Sequence, residues 1–266
     1  MSPASLPYWH VDAFAERPFA GNQAAVMPLD AWPPDATLLA IAAENMFAET
    51  AFLVRDQTGA AEWELRWFTP AVEARLCGHA TLASAHVLLT RDGGDAVSFR
   101  TRQAGRLEVR RAADGYELAL PAIATTAGAP PGTAEALGSA PLEARSAVPG
   151  YGLFRYADEA AVRALVPDMR ALAGWGTFMA ICTAPGERAE VVSRVFIPGA
   201  GIDEDSVTGS AHAVLAPYWC DRLGQNSFAA HQASKRGGDL TCRLDGERVW
   251  LGGHCVTVVE GRFFLA

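Results

Sequence analysis

Basic residues are in deficit: 22 Lys and Arg stand against 30 Asp and Glu, a formal net charge of -8. Nucleic acid and anionic membranes need a basic face, so neither is expected as a partner. The deficit still allows an anionic metabolite, because a few arginines or a helix start can hold one. Cysteine is sparse as well. Cys77, Cys182, Cys220, Cys242 and Cys255 are odd in number and widely spaced, with no CxxC, which argues against a disulfide framework or a zinc site. The six histidines form no HExxH; no metal and no other cofactor is expected. The opening MSPASLPYWHVDAF lacks a basic stretch followed by an apolar run, and no apolar run approaches the ~20 residues of a membrane-spanning helix. The expectation is a soluble, cytoplasmic protein. What remains is an ordinary globular composition over 266 residues, enough for one large domain or two small ones.

The chain repeats itself once. Arg66-Trp67-Phe68-Thr69-Pro70 resembles Arg194-Val195-Phe196-Ile197-Pro198, 128 positions on. Gly78-His79-Ala80 opens an apolar run, and so does Gly209-Ser210-Ala211, 131 positions on. The hairpin pattern from Gly105 to Leu120, turning at Asp114-Gly115, resembles Gly238 to Leu251, turning at Asp245-Gly246, again 131 apart. Three matches at nearly one offset, close to half the chain, point to a duplication.

Each half reads as strands around a helix. Trp63, Leu65 and Trp67 alternate with Glu62, Glu64 and Arg66, as in a half-buried strand. The run Ala80 to Leu89 is apolar or small nearly all round, and so is Ala211 to Ala216. A helix without a polar face must be buried on every side, which a sheet rolled around it achieves. A further helix from Ala36 to Phe47 carries a polar stripe at Glu44 and Asn45 and is expected on the outside. The fold class expected is therefore α/β (α+β): two pseudo-symmetric lobes, each a mostly antiparallel sheet around a central apolar helix. Pro121 to Pro141 reads as the connection. The boundary is placed at 122/123, with the last strand free to return to the first lobe. The active site is expected in the interlobe cleft.

Both central helices start at a glycine turn, Cys77-Gly78-His79 and Thr208-Gly209-Ser210. Such starts can hold a carboxylate through backbone N-H groups and the helix dipole. They are equally readable as ordinary N-caps, with Ser210 or Thr208 capping the second helix. Glu49 sits between a helix end and the apolar strand Ala51 to Val54; on local grounds a solvated turn residue is the commoner role. Asp205 precedes the second helix, where a helix-start charge is the plain alternative. His79 in the first helical turn could donate to a substrate oxygen or pass on a proton. The position matching Cys77 at the repeat offset is Thr208, too weak an acid to complete a two-thiol racemase, so Cys77 reads as small buried filler.

Val11-Asp12-Ala13-Phe14, Pro18-Phe19-Ala20-Gly21-Asn22, Glu49-Thr50-Ala51-Phe52, Arg66 to Pro70, Cys77 to Thr81 and Asp205 to Ala211 follow one another in the order seen in a known family. Together they resemble the PhzF-like isomerases of phenazine biosynthesis, although the phenazine enzyme itself has no cysteine at the position of Cys77. The resemblance implies the diaminopimelate epimerase-like fold and a homodimer. It implies Glu49, His79, Asp205 and Ser210 as catalytic residues, with Asn22, Gly78, Thr208 and Gly209 binding a small carboxylate-bearing metabolite. The expected activity is a cofactor-independent proton-transfer isomerisation. The alternatives are an epimerase or racemase of an amino or hydroxy acid using Glu49 and Asp205, and an inactive small-molecule-binding dimer.

Overall fold

The computed structural model describes residues 4–148 and 150–265. The chain forms two units, Met1–Ala119 together with Gly252–Ala266, and Leu120–Leu251. The elements of the first are β1 (Ala4–Ala13), β2 (Asn22–Leu29), α1 (Asp35–Asn45), β3 (Glu49–Arg55), β4 (Trp63–Phe68), β5 (Glu73–Ala74), α2 (Gly78–Asp92), β6 (Ala96–Thr101), β7 (Arg106–Ala112) and β8 (Gly115–Pro121), which ends just past the first boundary. The second holds β9 (Thr126–Ala127), α3 (Thr133–Leu137), β10 (Glu143–Ala147), β11 (Tyr151–Arg155), α4 (Glu159–Arg163), α5 (Met169–Ala173), β12 (Met179–Pro185), β13 (Val191–Ile197), β14 (Ile202–Asp205), α6 (Gly209–Leu223), β15 (Ser227–Gln232), β16 (Gly238–Asp245) and β17 (Arg248–Gly253). The last strand, β18 (Cys255–Leu265), returns to the first unit and pairs antiparallel with β1 along its whole length.

In the first unit β1 and β2 are antiparallel, β2 and β3 parallel, β3 and β4 antiparallel, β4 and β6 parallel, and β6, β7 and β8 antiparallel. The sheet curls about α2, which is met by β1, β2, β3, β6, β7 and β18. Residues Gly78 to Ala85 and Val87 to Leu89 of α2 are buried, the environment that a helix without a polar face requires. On the other side of the sheet α1 lays Leu38, Ile41 and Ala42 over Met27, Leu29, Phe52, Val54 and Phe68.

The second unit repeats this order. β11 and β12 are parallel, β12 and β13 antiparallel, β13 and β15 parallel, β15 and β16 antiparallel. Helix α6 matches α2 in length and begins 131 positions later. It is buried from Gly209 to Ala216, and it runs through Pro217 without ending. The stretch Pro121 to Pro141, expected as the connection, carries β9 and α3.

The repeated Arg-x-Phe motif has a common physical role. Arg66 makes a two-pronged bond to Glu73, Nε to Oε1 and Nη2 to Oε2, both at 2.8 Å. Arg194 does the same with Glu204, at 2.8 and 3.0 Å. Each guanidinium also stacks on the phenylalanine two residues on, 4.9 Å from Phe68 and 4.8 Å from Phe196. The planar fork fits a carboxylate and an aromatic face at once, which lysine does not. Each arginine thereby ties a central strand to the short strand leading into the helix.

Candidate active site

The parallel pairing of β2 and β3 sets Ala24 beside Glu49. Asn22 and Glu49 are the first residues of these two strands, so both sit at one end of the sheet. The N-terminus of α2 is held against them. Cys77 is its N-cap, with extended backbone and no side-chain cap. His79, the second helical residue, is buried. Its Nε2 lies 3.3 Å from Glu49 Oε2, while Glu49 keeps 17% of its side chain exposed, enough for a ligand to reach it. Asn22 donates from Nδ2 to Nδ1 of His79 at 3.1 Å. In that orientation the imidazole proton sits on Nε2, facing the glutamate.

Cys77 is buried, as its filler reading requires, but it does more than fill space. Its Sγ lies 3.5 Å from Nδ1 and 3.9 Å from Nε2 of His79. A donor atom of each of Glu49, Cys77 and His79 lies within 4.8 Å of the others. The first unit therefore gathers Asn22, Glu49, Gly78 and His79 as expected, and adds Cys77.

In the second unit the matching turn carries Asp205, Thr208, Gly209 and Ser210. Thr208 is the N-cap of α6, again extended and again without a side-chain cap. Neither the Thr208 nor the Ser210 side chain caps the helix, although Thr208 occupies the N-cap position. The Thr208 hydroxyl instead donates to Asp205 Oδ2 at 2.6 Å. Ser210 is buried at the second helical position, where α2 has His79. The two helix starts share a further device: Thr81 Oγ1 donates to Cys77 O at 2.5 Å, and His212 Nδ1 donates to Thr208 O at 2.8 Å, four residues back in both cases. The acids are not duplicated. Glu49 begins β3, whereas Met179 begins the equivalent β12.

The model of the phenazine biosynthesis-like family, PhzC-PhzF, matches residues 11–261. The chain belongs to this family. It is similar to an uncharacterized isomerase of Pseudomonas aeruginosa, 46% identical over 264 residues that cover 98% of this chain and 99% of that protein. The crystal structure of a PhzF-family phenazine biosynthesis protein from Enterococcus faecalis superposes with a TM-score of 0.90 at 41% identity, covering 98% of this chain and all of the other. A hydroxyproline epimerase from Agrobacterium vitis, with trans-4-hydroxy-L-proline bound, shares the fold at a TM-score of 0.64 and 12% identity, over 98% of this chain and 93% of that one. The mixed α/β fold thus follows for this phenazine biosynthesis-like protein, and relatives such as the Pseudomonas aeruginosa protein carry the name isomerase. Among the described residues no helix is long and apolar enough to cross a membrane.

One residue of this family member escaped the sequence reading. Gln232, fully buried at the end of β15, accepts from Thr208 N at 2.8 Å and donates to Asp205 O at 2.8 Å and Thr208 Oγ1 at 3.2 Å. It fixes the turn that carries Asp205. The signal was present: Phe228, Ala230 and Gln232 share the buried face of an alternating strand, and an amide on a core-facing position has to serve a buried partner. Gln232→Leu removes the partner of the buried Thr208 N and one bond to the part-buried Asp205 O, and we expect a loss of about 2–4 kcal/mol in chemical denaturation.

His212 supplies a pH dependence. Its Nε2 is buried with no hydrogen-bond partner among the described residues. Burial pushes its pKa down to about 4, against the bond to Thr208, which pulls it up. The folded protein keeps the ring neutral while the unfolded chain protonates it near pH 6.5, so below that pH the unfolded state binds the extra proton. The contribution is complete above pH 6.5 and is lost as the pH falls to about 4, roughly 3 kcal/mol in all. Urea titrations at pH 7.5 and pH 4 should show His212→Gln losing about 3 kcal/mol less than wild type between those values.

Proposed function

We propose that this protein is a cofactor-independent isomerase that moves a proton on a small carboxylate-bearing molecule, with Glu49 as proton carrier. The observation that carries the reading is the Glu49–His79 contact at the uncapped start of α2. A base must be held against the substrate carbon with little water around it, and Glu49 is partly buried on a rigid strand end. The negative charge that develops needs fixed donors nearby. His79 Nε2-H and the backbone N-H groups from Gly78 onward supply them, aided by the helix dipole. Asn22 acts by fixing the imidazole tautomer.

In the second unit the proposed acid–base group is Asp205, oriented by Thr208 and Gln232, with Gly209 and Ser210 as proposed substrate-binding residues. The test is proton exchange: candidate carboxylates are mixed with the protein in deuterium oxide and followed by NMR. Deuterium appearing at a shifted position supports isomerisation. Exchange at one stereocentre with inversion, lost in Asp205→Asn as well as in Glu49→Gln, supports the epimerase reading. Exchange that persists undiminished in Glu49→Gln overturns both.

A further inference from the structure

We propose that Glu49, Cys77 and His79 also form a binding site for one thiophilic divalent cation, Zn2+ by its donor set, and that the bound cation silences the proton transfer. The inhibitory half rests on the proposed function; the binding half does not.

The donors are a carboxylate, a thiol and an imidazole from three positions, two of them buried and preset by the N-cap of α2. Zinc favours this mixture, three protein ligands with a fourth position left open. The spacing fits. A tetrahedral zinc with bonds of about 2.0–2.1 Å to nitrogen and oxygen and 2.3 Å to sulfur sets nitrogen and oxygen ligands about 3.3 Å apart and nitrogen and sulfur about 3.6 Å apart. In the protein His79 Nε2 stands 3.3 Å from Glu49 Oε2, while Cys77 Sγ stands 3.9 Å from Nε2 and 3.5 Å from Nδ1. The nitrogen–oxygen pair already matches; the adjustment falls on the imidazole, which has to turn so that Nε2 rather than Nδ1 faces the thiolate, and the partly exposed Glu49 side chain gives the ion its way in.

The surrounding shell suits the exchange of a proton for a metal. Asn22 lies 3.1 Å from His79 Nδ1. Turning its amide over presents the carbonyl oxygen to Nδ1, so the imidazole proton moves from Nε2 to Nδ1 and Nε2 becomes free to ligate. Metal-bound histidines commonly hold their other nitrogen in this way. The thiol releases its proton to water as the thiolate binds. Once coordinated, the Glu49 carboxylate shares its negative charge with the cation and becomes a much weaker base toward a substrate proton. The trio forms no compact ligand motif in the sequence, because Glu49 lies 28 positions before Cys77.

The test uses the full chain after chelator treatment, with Zn2+ and Co2+ as probes. We expect 1:1 Zn2+ uptake by calorimetry. The Co2+ form should show a near-ultraviolet thiolate-to-cobalt band and visible bands of tetrahedral intensity. Cys77→Ser should abolish the thiolate band and weaken Zn2+ at least about 100-fold, and Asn22→Ala should weaken it about 10- to 100-fold. His79→Gln serves as a second ligand variant should Cys77→Ser fail to fold. Uptake of unchanged affinity in both ligand variants, or no saturable uptake, overturns the proposal. The two readings fail separately. Zinc bound to wild type with exchange surviving in Glu49→Gln condemns the proposed function alone; exchange lost in Glu49→Gln with no zinc uptake condemns the metal site alone.

Discussion

Glu49→Gln should lower the rate of substrate hydrogen exchange by about a thousandfold or more while leaving the fold standing. A positioned general base contributes roughly 10²–10⁴-fold, and an amide cannot take a proton at neutral pH. Its shape is nearly that of the acid, and its Oε1 can still accept from His79 Nε2, so the local packing persists. Because 17% of the Glu49 side chain is already exposed, the exchange of carboxylate for amide strands no deeply buried charge. The melting temperature should stay within a few degrees of wild type, by differential scanning calorimetry. His79→Asn should cost less in rate, because it removes one donor while the base remains. A Glu49→Gln variant keeping more than about a tenth of the wild-type exchange rate would place the base elsewhere, since one tenth is only ~1.4 kcal/mol of barrier.

The parts of this protein that the sequence displays are those governed by local pattern. Two helices without polar faces announce their own enclosure, and the structure buries both. The duplicated Arg-x-Phe pentapeptide marks strands β4 and β13, whose arginines repeat the same carboxylate fork and aromatic stack. Asp114-Gly115 marks a hairpin, although the two-residue loop closes between Ala112 and Gly115.

What the sequence hides depends on pairing between distant segments. Whether Glu49 meets His79 is decided by the register of β2 against β3 and by where the sheet grips α2, neither of which has a local code. Cys77 reads as inert in the sequence because its counterpart at the repeat offset, Thr208, is not a thiol. The structure shows that the duplication keeps the scaffold and varies the chemistry. The same first-turn carbonyl is tied back by Thr81 in one unit and His212 in the other. One acid comes from the first residue of a long strand, the other from the last residue of a short one. Gln232 was hidden for a different reason: a buried amide is meaningful only when its partners, Thr208 and Asp205, are known.

Gly21→Ala should be the most damaging small substitution in the first unit, with a loss of about 3–5 kcal/mol and a fall of roughly 10 °C or more in melting temperature. Gly21 has φ +65, where a side chain is strained by about 1–2 kcal/mol. A Cβ there would stand 2.2 Å from Ala13 O and 2.8 Å from Ala15 Cβ. Ala13 O is backbone, and it belongs to the residue paired with Asn22 at the end of the β1–β2 ladder, so relief has to come from moving the chain. The loop has little slack, since Phe14 and Phe19 already take positive φ values of 56 and 71 and Phe19 N is pinned by Asp12 Oδ2 at 2.8 Å. The displaced residue would be Asn22, whose amide holds His79. The variant should therefore lose exchange activity beyond what its lower stability explains. Comparing Gly21→Ala with Asn22→Ala separates the two effects: both should lose rate at a temperature where both are folded, and only the first should melt early. A Gly21→Ala protein that melts with wild type would show that the loop relaxes without moving the β1–β2 ladder.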